Sequence, residues 1–341
     1  MRGSEDLTVQ KTLLSMRGEK SPRITDMPTV NLCRSRLKSG MIPARKNNGG
    51  FGRPVTWLKS AAQLEGSLIG TQPPASSDAE VRPLRLDGRL VGTVYEDAHA
   101  RYCRLGAIRS GDASLPRDRQ AREVFEVMER ALCAAEMSFT DIVRTWFYLD
   151  SITAWYDDFN KARTEFFAGR RVFDHLVPAS TGIGIGNVAG AAVIAHALAI
   201  RPLDKTVRAF VVPSPLQRPA LLYGSSFSRA VEIVGTGWKY LLVSGTASIE
   251  PGGKSVYPED AEKQIGLTMD VVKEILDSRR MSWRDVTRAI AYVKRAGDAE
   301  IFTRFCARQR LPSLPLAIVK GSICRDELFF EIELDAAVEE E

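Results

Sequence analysis

A chain of 341 residues makes two domains the default at ~100–200 residues per domain, with room for a tail. Its 44% hydrophobic and 26% charged residues exclude a wholly unfolded chain and a disulfide miniprotein, and no apolar run reaches the ~18–20 residues of a membrane span. The net charge of +5 is lopsided: residues 1–60 hold 12 Lys/Arg against 4 acids, a local +8, which leaves −3 for the remainder.

Residues 1–80 read as a basic N-terminal extension, partly disordered, because its charge is mixed with Gly, Ser and Pro. The lack of interleaved aromatics disfavours a nucleic-acid surface. Residues 55–59 and 68–70 are candidates for added edge strands. The first residues lack the charged-then-apolar layout of a secretion signal, so a soluble, cytoplasmic protein is expected.

A β-rich run over 100–108 is followed by an amphipathic helix near 124–132, a strand carrying Tyr148, a helix carrying Phe159 and a closing strand over 190–200. Pro202, Pro213, Pro215 and Pro219 mark a connection. The order then repeats. A strand over 240–249 leads to a helix opened by Pro258, Glu259 and Asp260, with Ile265, Met269, Val272 and Leu276 on one face. A strand carrying Tyr292, a helix carrying Phe302 and a closing strand over 328–334 complete it. The halves align without a gap at an offset of 144. Residues 124–132 fall on 268–276, Met137-Ser-Phe-Thr-Asp141 on Met281-Ser-Trp-Arg-Asp285, and Ile142-Val-Arg-Thr-Trp-Phe-Tyr148 on Val286-Thr-Arg-Ala-Ile-Ala-Tyr292. This predicts an α/β class fold, an α+β sandwich of two tandem domains at 81–205 and 206–341. Each is a mixed sheet with two helices packed on one face. The other faces are left for partners, and the two sheets can pair theirs.

Cys33, Cys103, Cys133, Cys306 and Cys324 form no C-x-x-C pair, and His99, His175 and His196 show no metal-binding spacing. Neither a disulfide framework nor a metal site is expected. Gly182-Ile-Gly-Ile-Gly186 lacks the spacing and the following helix of a dinucleotide loop, so no nucleotide cofactor is expected either.

In the closing strand Phe329, Glu331, Glu333 and Asp335 share one face, and Phe330, Ile332 and Leu334 the other. Facing water, the acids would be ordinary carboxylates. Covered by a neighbouring domain, a carboxyl there would have a raised pKa and could deliver a proton near neutral pH. Copy one has Ile194 at the position aligned with Glu331, so such an acid exists in one copy only.

Gly224-Ser-Ser-Phe-Ser-Arg-Ala-Val231, Val243-Ser-Gly-Thr-Ala247, Pro258-Glu-Asp-Ala-Glu-Lys-Gln264 and Phe330-Glu-Ile-Glu-Leu334 follow one another in an order that resembles the RidA/YjgF family. A tandem pair with Pro178-Ala-Ser-Thr-Gly-Ile-Gly184 in copy one resembles, more specifically, the chorismatases, over residues 80–338. The resemblance implies two RidA/YjgF-like (chorismate-mutase-like) domains and a cofactor-free enzyme that removes pyruvate from chorismate. It implies Glu331 as the general acid, protonating the methylene carbon of the enol ether. Arg304 and Tyr223 are the implied carboxylate binders and Phe227 a wall of the substrate pocket. Ser244, Gly245 and Thr246 end a strand whose N–H groups can reach an anion. Arg229 and Tyr292 are lesser candidates.

Cys324, seven residues before the acid, is implied to steer product choice. A cysteine there accompanies 3-hydroxybenzoate formation, with 4-hydroxybenzoate as a second product. A bulkier aliphatic residue accompanies hydrolysis to 3,4-dihydroxycyclohexa-1,5-diene carboxylate, which stands as the alternative. Leu316 occupies the place where RidA-type imine deaminases grip a carboxylate with arginine, which disfavours imine deamination. A small-ligand-binding protein is the non-enzyme alternative, since this fold serves that role too. A basic tail that binds nucleic acid is the third. The expected partner is chorismate, with no nucleic acid and no membrane; monomer and homotrimer are both open.

Overall fold

Period-two runs of branched and aromatic residues build the sheets, and the amphipathic segments between them fold as helices that cover the sheets' outer faces. The computed structural model describes residues 30–34, 56–60, 63–65 and 80–339. Three strands come first: β1 (Val30–Arg34), β2 (Thr56–Ser60) and β3 (Gln63–Glu65). Copy one then runs β4 (Arg82–Leu86), β5 (Arg89–Glu96), β6 (Ala100–Ile108), α1 (Arg117–Ala134), β7 (Ile142–Leu149), α2 (Tyr156–Gly169), β8 (Ala179–Gly184), β9 (Gly186–Asn187) and β10 (Val193–Pro202). Copy two runs β11 (Arg208–Val212), β12 (Ala230–Gly235), β13 (Trp238–Ala247), α3 (Ala261–Ser278), β14 (Val286–Val293), α4 (Asp298–Arg308), β15 (Leu316–Lys320) and β16 (Phe330–Glu339).

The first sheet has the order β4-β5-β6-β10-β7-β8 and the second β11-β12-β13-β16-β14-β15, with β3 added at its edge. Within each copy the pairs are antiparallel except one, β7 with β8 and β14 with β15. The fold is the expected pair of tandem α+β domains, each with a mixed sheet and two helices. β2 pairs with β1 and with β9 in a separate three-stranded sheet, so the strand expected near 55–59 is not an edge of either large sheet; Gln63–Glu65 takes that place. Residues 68–70 and most of the basic extension lie outside the described residues.

The duplication is visible in the register. Ile194 faces Tyr148 across β10 and β7, and Glu331 faces Tyr292 across β16 and β14. Tyr148 and Tyr292 are the residues that the 144 offset equates. Each copy also places two residues opposite one at the same point, a β-bulge. Gly106 and Ala107 of β6 oppose His196, and Ser244 and Gly245 of β13 oppose Glu333.

Helices α1 and α2 bury Val124, Phe125, Met128 and Phe159 against the outer face of the first sheet. On the second sheet Ile265, Met269, Val272 and Leu276 of α3 and Phe302 of α4 do the same. The expected start of α3 is present, with Asp260 as N-cap accepting from the Lys263 amide at 3.0 Å. The inner faces meet. Tyr95, Tyr102, Trp146 and Tyr148 of the first sheet share one core with Ile233, Tyr240, Leu242 and Tyr292 of the second. The layers are therefore helix, sheet, sheet, helix.

Strand β8 sews the halves together. Ser228 donates its amide to the Pro178 carbonyl at 3.0 Å, Gly184 and Ser322 exchange backbone bonds of 2.7 and 2.9 Å, and the Ser180 amide reaches Ser244 Oγ at 2.9 Å. A Cβ on Gly184 would lie 2.7 Å from that of Ser322, so the backbones meet this closely because the position is glycine. Among the described residues no helix is long and apolar enough to cross a membrane.

Candidate active site

The acidic face of β16 is covered by the other sheet, and its three carboxylates differ in what meets them. Glu333 is fully enclosed. Arg144 Nη2 donates to Glu333 Oε2 at 2.7 Å, Trp146 Nε1 donates to Oε1 at 3.0 Å, and Arg288 Nη2 and the Thr181 hydroxyl donate as well. Burial alone would raise its pKa, but the Arg288 and Arg144 guanidiniums outweigh burial and hold it below the usual carboxylate range. Asp335 accepts from Tyr240 Oη at 3.2 Å and Arg288 Nη1 at 3.3 Å. Both are ion-pair partners in the seam between the sheets.

Glu331 is different. It is 5% exposed, and burial pushes its pKa up to about 8, with the charge of Glu333 adding to the effect and Arg144 and Arg229 opposing it. Its carboxyl lies flat on the β13 bulge: a Cβ on Gly245 would come within 2.1 Å of Glu331 Oε1. Any larger residue there would displace the acid.

Glu331 borders a cavity of about 60 Å³ between the copies. From copy two come Tyr223, Phe227, Arg229, Gly245, Cys324 and Arg325; from copy one come Tyr156 and Arg163 of α2 and Ser180 and Gly182 of β8. It opens on an outer cleft of about 910 Å³ that shares Tyr156, Tyr223, Cys324 and Arg325. Arg163 is buried; its Nη2 donates to Asn160 Oδ1 at 2.6 Å, while its Nε has no hydrogen-bond partner. Arg229 donates to Tyr223 Oη at 2.5 Å and to the Arg218 carbonyl at 3.1 Å, and stacks over Tyr223 and Phe227. Burial lowers the pKa of both arginines. Two desolvated guanidiniums beside a neutral carboxyl make a pocket suited to an anionic ligand that accepts a proton.

The structure brings together Glu331, Tyr223, Phe227, Cys324 and Gly245. Cys324 is half-buried, its thiol pushed up to about 12 by burial and by Glu331. Arg304 is not brought in: it is exposed on α4 and lies 3.7 Å from Glu300 in an i,i+4 ion pair. Nor are the side chains of Ser244 and Thr246, whose hydroxyls donate to the carbonyls of Ser228 and Ser244. Tyr292 is buried in the seam with its hydroxyl unpartnered, outside the cavity lining. Missed from the sequence were Tyr156, Arg163 and Arg325. Arg163 carried a signal, since Phe159 and Phe167 flank it at i−4 and i+4 on the packed face of α2.

No family model matches the chain. A curated chorismatase from Streptomyces rapamycinicus is 25% identical over 226 residues, which is 58% of this chain and 64% of that protein. The chain thus spans just under two thirds of that relative's length. A curated chorismatase from Streptomyces hygroscopicus is 24% identical over 255 residues, 67% of this chain and 70% of that one. The crystal structure of a chorismatase shares the fold, with a TM-score of 0.60 at 22% identity over 75% of this chain and 80% of the other. In sequence the chain is similar to these curated chorismatases, and in architecture it shares the chorismatase fold, with two α+β domains in tandem.

Proposed function

We propose that the protein cleaves the enolpyruvyl ether of chorismate with Glu331 as general acid and no cofactor. One observation supports the reading above the others: a carboxyl that keeps its proton to about pH 8 borders a cavity carrying the Arg163 and Arg229 guanidiniums. Enol-ether cleavage needs a proton placed on carbon, and the substrate's two carboxylates need cations. Arg163 and Arg229 take the role first assigned to Arg304. The inner cavity suits the three-carbon pyruvyl end, with the ring in the outer cleft. All these groups come from one chain, so a monomer suffices.

Glu331 gives its proton to the methylene carbon, leaving a carboxylate and an oxocarbenium at the ether carbon. The ring's C4 hydroxyl then attacks C3, the C3–O bond breaks, and its electrons complete the carbonyl of pyruvate. The hydroxyl proton returns to Glu331, and the resulting 3,4-arene oxide opens at its C4–O bond; C3 then loses its proton while the oxygen left on C3 gains one, giving 3-hydroxybenzoate. Cys324 stands in the cavity wall beside the acid, which supports the assignment of product choice to it.

The test is a digest of chorismate by the purified full chain, with pyruvate assayed and ring products separated by chromatography. Pyruvate with 3-hydroxybenzoate is expected; no pyruvate at high protein concentration overturns the reading, and pyruvate with the dihydroxydiene overturns the product assignment alone. Glu331→Gln should cut turnover by on the order of 10²–10⁴-fold with the fold unchanged. An active variant would remove Glu331 as the acid.

A further inference from the structure

Thr181 lies in β8 of copy one, three residues from the Gly184 crossing, and its side chain reaches into copy two. A hydroxyl has one proton and two lone pairs. Here all three are used. Thr181 Oγ1 donates to Glu333 Oε2, accepts from Arg144 Nη2 at 2.7 Å and accepts from the Gly245 amide at 3.0 Å. The assignment is forced, because the guanidinium and the amide can only donate. Glu333 must then accept, which is the state its two arginines impose. A Cβ built on Gly245 would come within 3.2 Å of Thr181 Cγ2, so a side chain at that position would crowd the threonine as well as the acid.

We propose that Thr181 is a positioning residue: its hydroxyl ties the Arg144–Glu333 ion pair to the Gly245 amide and so holds the β13 bulge on which the Glu331 carboxyl rests. It is not itself part of the cavity lining and acts through Gly245, which is. This rests on the reading of Glu331 as the acid and extends it, because the precision of the acid is then set by the copy that lacks one. The groups that bear on Glu331 come from every side. They are Glu333 on its own strand, Tyr292 on β14, Arg144 on β7, Arg163 and Tyr156 on α2, Tyr223 and Arg229 before β12, and Cys324 and Arg325 before β16. Thr181→Val keeps all of them and removes only the hydroxyl. The freed bulge then lets water reach the acid, which weakens the desolvation that dominates its behaviour.

The experiment compares the full chain with Thr181→Val, Thr181→Cys and Thr181→Ser. The first readout is the pH profile of pyruvate release from chorismate; the second is a carbon-NMR titration of the Glu331 carboxyl, assigned with Glu331→Gln. For Val and Cys, kcat should fall by on the order of 10²-fold and the alkaline limb should move to lower pH, with the carboxyl titration moving the same way. Ser should restore both, since it offers the same proton and lone pairs. Val or Cys variants with wild-type profile and titration overturn the proposal, as does a Ser variant as impaired as Val. If Val does not fold, Cys against Ser carries the same comparison. A wild-type chain that releases no pyruvate fails the enzymatic reading instead, and the carboxyl titration still decides the role of Thr181.

Discussion

Glu331 and Glu333 are the same amino acid two positions apart on one face of one strand, yet their surroundings push their protons in opposite directions. Glu333 is met by two guanidiniums and stays charged; Glu331 meets a glycine backbone and a cavity and stays neutral. In the proposed reaction a neutral acid is the active form, so kcat should be flat through neutrality and fall as pH rises through about 8. A flat profile to pH 10 would contradict the assignment. The same group costs stability when it ionises. Its folded pKa lies above its unfolded one, so between the two the native state binds more protons and stability falls with rising pH. Glu331→Gln should therefore be more stable than wild type above pH 8, by on the order of 1–4 kcal/mol, with the difference vanishing near pH 4. Urea unfolding at both pH values measures it. The alternation at 329–335 was legible in the sequence, including the shared face of the acids. Which of them keeps its proton was not, because Arg144 and Arg288 arrive from other strands.

Helical arithmetic separates the two arginines considered for the carboxylates of the proposed substrate. Arg163 sits four residues from Phe159 and from Phe167, on the packed face of α2, whereas Arg304 lies between Phe302 and Phe305 of α4 in sequence and turns to solvent. The resemblance pointed to Arg304; periodicity alone would have chosen Arg163. Arg163→Ala should raise KM for chorismate by on the order of 10–100-fold, with a smaller change in kcat, since it removes a charged hydrogen bond made equally by substrate and transition state. Steady-state kinetics distinguish this from a loss confined to kcat. Strand β8 teaches a related lesson. Its Ala-Ser-Thr-Gly-Ile-Gly run stands out in the sequence, but its work is done across the seam, through contacts with residues 228, 244, 245 and 322 that no local pattern reveals.

The two sheets enclose an ion cluster that neither copy could keep dry alone. Arg144 comes from copy one, and Arg288, Glu333 and Asp335 come from copy two. Glu333→Ala would leave both guanidiniums buried without their main partner, and should cost about 3–5 kcal/mol of stability. Urea denaturation gives the number; a loss under 1 kcal/mol would mean that water reaches the seam. Two domains of one ancestry could be read from three gapless blocks, and the sheet register agrees with that alignment at Tyr148 and Tyr292. The pairing of their faces could be named only as an option, because burial of a charged face depends on residues more than a hundred positions away.

Copy one keeps the bulge, at Gly106 and Ala107, but sets Ile194 and His196 where copy two sets Glu331 and Glu333. Ala107 even holds a left-handed backbone, with φ of 55°, at the point where copy two has Gly245. The scaffold of the candidate site thus recurs in copy one without its buried acid. On the proposed reading, a chain with twofold ancestry would turn over at a single locus, and would be saturated by one molar equivalent of a tight ligand rather than two.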